Sequence, residues 1–144
     1  MYYLVSSKDI NSIEMVQCQV IRFVFNDYSY NTSVTSLKNI LNWPTFQRCR
    51  INLRAIMIYK IANNLIRIPA DPFLIPVSSY TRNHHHHYKL PYSRVNAHLF
   101  SFFPSSLRIW NKLSTSTACS PTLKVFKDRV SKEKIDKATL LTYQ

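Results

Sequence analysis

Arg48, Arg50 and Arg54 fall within one short stretch of the chain. An arginine presents a planar fork of N–H donors that fits two phosphate oxygens at once, so the cluster points to phosphate contact. Arg50 and Arg54, four apart, would share one face of a helix. A solvated helix face is the competing reading. The same sign continues through Lys60 and Arg67, then Arg82, Lys89 and Arg94. Residues 28–127 hold 13 basic residues and one acid, Asp71, so the net charge of +12 is concentrated there. Such a field favours polyanions, because each neutralised phosphate releases condensed counterions; its other use is to keep the chain in solution. Tyr88 and Tyr92 lie between the cations, where their rings could stack bases at roughly 1–3 kcal/mol each. Trp43 and Trp110 are expected as core anchors.

Other chemistries fare poorly. His84, His85, His86 and His87 are consecutive, with His98 near in sequence. Neighbouring side chains on an extended segment splay apart, so no tetrahedral metal site follows from adjacency, and no metal or cofactor is expected. Cys18, Cys49 and Cys119 are odd in number and far apart, which fits neither a disulfide scaffold nor a zinc ribbon. They are expected as buried free thiols. Glycine is absent, which excludes the phosphate-cradling loops of nucleotide-binding enzymes. No nucleophile elbow supports Ser/His/Asp catalysis.

The elements that must position the cations follow from apolar periodicity. The 144 residues, 46% hydrophobic and 13% aromatic, are too apolar for a disordered chain and can form one core. The pattern predicts an all-α fold, a small irregular helical domain of about five helices, near 7–26, 33–41, 44–63, 104–112 and 121–133. A long extended segment rich in proline and histidine interrupts them. One domain overall is expected, with a helical part over 1–65, a basic extended segment over 66–98, a second helical part over 99–134 and a frayed tail over 135–144. Asparagines stand where glycine commonly ends a helix, at Asn42 and near Asn64. The predicted core holds Val20, Phe23, Val24, Leu37, Trp43, Phe46, Leu53, Met57, Phe103, Trp110 and Phe126. Caps are expected at Thr32 or Ser33 and at Ser120-Pro121. The N-terminus lacks the basic region of a signal peptide, and the longest apolar run, Ala55 to Tyr59, is far short of the roughly 20 residues a bilayer requires. A soluble intracellular protein, nuclear or cytoplasmic and without a membrane partner, is the expectation.

Several strings, in order, carry a resemblance. They are Ile13-Glu14-Met15-Val16-Gln17 with Arg22-Phe23-Val24, Thr32-Ser33-Val34-Thr35-Ser36-Leu37, Leu41-Asn42-Trp43-Pro44-Thr45-Phe46, and Met57-Ile58-Tyr59-Lys60-Ile61. Phe102-Phe103-Pro104, Trp110-Asn111-Lys112-Leu113, Ser120-Pro121-Thr122-Leu123 and Phe126-Lys127 follow. Together, over about residues 10–130, they resemble the region downstream of the polymerase domain in reverse transcriptases of non-LTR (LINE-like) retrotransposons. The chain departs from that pattern at Gln17-Cys18, where a basic pair is usual, at Asn42 and near Asn64, where glycines are usual, and at Ser114, where a proline is. A polymerase centre needs adjacent aspartates to hold two metals, and no Asp-Asp pair is present. The resemblance therefore implies a noncatalytic fragment, not an enzyme, with RNA or DNA as its partner at low sequence specificity, and the polymerase domain as a candidate second partner. The alternatives are a structural module packing on that polymerase, or a decayed element fragment without independent function. The residues expected to carry binding are Arg48, Arg50, Arg54, Lys60, Arg67, Arg82, Lys89, Arg94, Tyr88 and Tyr92.

Overall fold

A computed structural model describes residues 7–77, 87–133 and 135. The secondary structure among them is helical: α1 (Ser7–Phe25), α2 (Val34–Ile40), α3 (Phe46–Ala62), α4 (Asn96–Leu99), α5 (Phe102–Asn111), α6 (Thr115–Ala118) and α7 (Leu123–Lys132). The architecture is all-α, as the periodicity predicts, and the five longer helices start and stop within two residues of the predicted bounds. The single turns α4 and α6 are too short to leave a periodic signal. The chain divides into two compact units, residues 1–50 and 51–144, and the division falls inside α3.

In the first unit, α1 packs on α2. The apolar stripe predicted for the core is not the face that is buried. Ile21 and Gln17 are covered, whereas Val20, Phe23 and Val24 are exposed, Phe23 by 74%. Polar anchors select the face. Gln17 Nε2 donates to the Pro44 carbonyl (2.9 Å), and Glu14 Oε1 accepts the Gln47 backbone N–H (3.0 Å). Glu14 Oε2 also lies 3.7 Å from Lys38 Nζ. These contacts turn the Glu14–Gln17–Ile21 side inward, and Leu37 joins Ile21 there as a buried residue. Trp43 and Phe46, predicted as core, are exposed.

The loop after α1 is organised by Arg22. Its guanidinium donates to the carbonyls of Ser29 (2.8 Å), Thr32 (3.4 Å) and Asp27 (3.5 Å). Asp27 closes the turn from the other side by accepting the Ser29 N–H (3.0 Å). Hydrogen bonds from Thr32 and Ser29 hold the Asp27 carboxyl below its ordinary range. Ser33 occupies the N-cap of α2 in extended geometry, yet its hydroxyl makes no capping bond.

The second unit has the larger core. Ile51, Ala55, Ile58 and Tyr59 of α3 meet Leu107, Ile109 and Trp110 of α5, together with Leu113, Ala118, Phe126 and Val130. Tyr59 stacks on Phe126 at 4.3 Å between ring centroids, and Trp110 lies 5.9 Å from Phe126. The Tyr59 hydroxyl donates to the Ser120 carbonyl (2.7 Å). Trp110 and Phe126 are core residues as predicted; Phe103 is half-buried against the cluster. Leu53 is not in the core, being 63% exposed. Polar and apolar residues are mixed all round α3, so period alone does not choose a face, and the buried one runs through Ile51, Ala55 and Ile58.

The one cap predicted in the second unit also departs from expectation. Thr122, not Ser120, caps α7, its hydroxyl accepting the Val125 N–H (3.3 Å). Ser120 is buried, with its own hydroxyl turned back to the Thr117 carbonyl (2.7 Å). Glu133 reaches across to accept the Ser114 N–H (2.6 Å) at the start of α6. We expect Ile58→Ala to lower unfolding free energy by about 2–5 kcal/mol. Leu53→Ala should change it by less than about 0.5 kcal/mol, as surface substitutions generally do. Urea denaturation of the two variants checks the assignment of the buried face.

Candidate functional site

The α3 cations are not fully presented to solvent. Thr45 caps the helix by accepting the Arg48 N–H on its hydroxyl (3.2 Å), which fixes where the arginine series begins. Arg48, Arg50 and Arg54 are each half-buried, and so is Lys60 in the last turn. Arg50 Nη2 is buried and meets no hydrogen-bond acceptor among the described residues. Arg48 and Arg50 belong to the first unit, Arg54 and Lys60 to the second.

Beyond α3 the cations become exposed. Asn64 ends the helix in a left-handed conformation (φ 55°) and Arg67 follows it into solvent. The chain then turns at buried Ala70, whose carbonyl accepts the N–H groups of Phe73 (2.8 Å) and Leu74 (2.9 Å). Phe73 lies nearly parallel to Phe103, with centroids 4.2 Å apart. Pro76 and Tyr88 form an antiparallel bridge, in which Val77 N–H donates to the His87 carbonyl (2.9 Å) and Lys89 N–H to the Ile75 carbonyl (2.8 Å). The segment read as extended therefore has two pairing partners within itself.

A clamp fixes the returning segment. Asn111, at the end of α5, accepts the Tyr88 N–H on Oδ1 (3.1 Å) and donates Nδ2 to the Tyr88 carbonyl (2.7 Å). One amide side chain thus reads both backbone groups of one residue, as a neighbouring strand would. The Tyr88 ring turns inward, tilted against Trp110 at 6.3 Å, and burial raises its phenol above the ordinary range. Burial likewise lowers the His87 imidazole. Tyr88 is therefore a packing residue, and of the two tyrosines expected to stack bases only Tyr92 is free of the core, at 87% exposure. Lys89 and Arg94 are exposed on either side of it in sequence. A short contact between Ser93 Oγ and His98 Nδ1 (2.8 Å) ties the far end of the segment to α4.

Arg82 lies outside the described residues, as do Tyr80 and His84–His86. No group of three or more His, Cys, Asp or Glu able to hold a metal occurs among the described residues. The three cysteines are free, but they are not buried as expected: Cys18 and Cys49 are half-buried and Cys119 is exposed. No helix among the described residues is long and apolar enough to cross a membrane. Asn111 occurs in the sequence only as part of the Trp110-Asn111-Lys112-Leu113 string, with nothing to mark it as a backbone clamp, and the exposed pair Lys124 and Lys127, which helical spacing puts on the outer side of α7, lies outside the expected binding set. No protein-family model, curated protein or solved structure matches the chain.

Asn111→Ala would leave the Tyr88 N–H and carbonyl without their partner. We expect a loss of about 1–3 kcal/mol in unfolding free energy, the usual penalty for stranding half-buried polar groups. Urea denaturation gives the value; a loss near zero would show that solvent serves Tyr88 equally well.

Proposed function

We propose that the chain is a noncatalytic extension of a non-LTR retroelement reverse transcriptase that binds the RNA or DNA backbone with little sequence preference. One observation carries this reading: 13 cations against a single acid over residues 28–127, with Arg67, Lys89 and Arg94 exposed on the connector of the second unit. Phosphates attract such a surface regardless of base identity, because the favourable term is release of counterions from the nucleic acid. Nothing in the exposed set resembles a helix built to enter a groove and read base edges. The collinear motifs support the retroelement origin, and the missing Asp-Asp pair supports a binding role over a polymerising one.

A second reading, a module that packs on the polymerase, is favoured by α1. Val16, Val20, Phe23 and Val24 recur at helical spacing and are all exposed, an apolar face of the kind that marks a contact with another protein surface.

Salt dependence separates the two. In the nucleic-acid reading, affinity for a mixed-sequence RNA falls steeply between about 50 and 200 mM salt. Changing Arg67, Lys89 and Arg94 together to alanine should then reduce the slope of log K against log salt by about 2–3. All three side chains are exposed, so the variant is expected to fold. Fluorescence anisotropy at several salt concentrations checks both points. Weak binding throughout, with no change in slope, would leave the packing module as the better account.

A further inference from the structure

Tyr92 stands apart from the other aromatic residues of the second unit. Tyr59, Tyr88, Phe102, Phe103, Trp110 and Phe126 are buried or packed against the core. Tyr92 alone among the described aromatics of that unit leaves nearly all its ring in water, at 87% exposure. An aromatic ring has much apolar area to lose from solvent, and here no core takes it up. Lys89 precedes it by three residues and Arg94 follows by two, both exposed.

From this placement we infer that the ligand of the basic connector is single-stranded nucleic acid, with Tyr92 as the ring on which a base stacks and Lys89 and Arg94 as the flanking phosphate contacts. The inference rests on the proposed backbone-binding function and names the substrate class of that same site. Its physical basis is the availability of base faces. In a duplex each base is already stacked between its neighbours, so a surface tyrosine has nothing to cover. In a single strand the faces are open, and every base has one, which is why stacking tolerates any sequence. Extended backbone rises about 3.3 Å per residue, so Lys89 and Arg94 stand at most about 10 and 7 Å along the chain from Tyr92. A base on the ring would thus have a cation within side-chain reach of the phosphates on each side.

The platform is held before any ligand arrives. Asn111 fixes Tyr88 by two hydrogen bonds, and the Tyr88 ring rests against Trp110. Ser93 is tied to His98. Pro91 restricts the backbone immediately before Tyr92. Backbone order already imposed on either side of Tyr92 need not be supplied on binding, which favours affinity. Exposed Leu90 and Val95 add apolar surface on the same segment.

The test compares one mixed-sequence oligonucleotide, single-stranded and annealed to its complement, by fluorescence anisotropy with the full chain at fixed salt. The single strand should bind more tightly than the duplex. Tyr92→Ala should weaken single-strand binding by about 5- to 150-fold, the range that loss of one stacked base implies. It should leave duplex affinity and the salt slope unchanged, and Tyr92→Phe should retain the preference. Because Tyr92 is almost wholly exposed, its replacement leaves the packing intact, and an unaltered helical circular-dichroism spectrum verifies this. Equal affinity for the two forms, or a single-strand affinity indifferent to Tyr92→Ala, would overturn the inference while backbone binding stands. No binding to either form would overturn the proposed function and the inference with it.

Discussion

The second unit is built around a tyrosine hydroxyl that must find a partner away from water. Tyr59 projects from α3 into an apolar cluster, stacks on Phe126, and donates its proton to the Ser120 carbonyl at 2.7 Å. A buried phenol without that acceptor would cost about 1–3 kcal/mol, so the loop carrying Ser120 and the helix carrying Phe126 are constrained together. Trp110, beside Phe126, completes the aromatic group and also meets Tyr88. The next residue, Asn111, holds the Tyr88 backbone. A chain of contacts therefore runs from the centre of the core to the surface segment that bears Lys89, Tyr92 and Arg94. The core packs, and in packing it presents the cations.

A second constraint is the absence of glycine. Three of the seven described helices, α1, α2 and α3, end the same way. Asn26, Asn42 and Asn64 adopt left-handed backbone, with φ of 48°, 50° and 55°. At each, the N–H of the asparagine reaches back three residues and the following N–H reaches back five: to Phe23 and Arg22, to Asn39 and Lys38, to Ile61 and Lys60. That double bond pattern is the Schellman motif, which satisfies carbonyls the helix leaves open. An L-residue pays for this conformation, but asparagine tolerates it best of the non-glycine residues. At Asn26 the turn is reinforced by Arg22 and its bonds to the following loop.

Much of this was legible in the residues. The five longer helices follow from three- and four-step apolar spacing, and the left-handed asparagine at the end of α2 follows from its place where a helix must stop. The faces were harder. In α1 the apolar stripe through Val20 and Phe23 is exposed, and the covered strip is the adjacent one through Glu14, Gln17 and Ile21, where the polar groups find partners. In α3 polar and apolar residues are mixed all round the helix, and nothing local distinguishes Leu53 from Ile58. Both choices depend on neighbours distant in sequence, which periodicity does not encode. Among the proposed binding residues, charge showed where cations are dense but not which are presented. Arg67, Lys89 and Arg94 are exposed while the arginines of α3 are partly covered. Tyr88 and Tyr92 look alike in sequence; the amide of Asn111 separates them by drawing one inward.

The proposed ligand site is the connector between α3 and α4, not α1. Backbone amide chemical shifts of the full chain, followed by NMR during addition of a single-stranded RNA, test that placement most directly. Perturbations gathered at Arg67 and over Lys89–Arg94, with α1 unmoved, are the predicted result. Perturbations confined to α1, or none at saturating RNA, would contradict it.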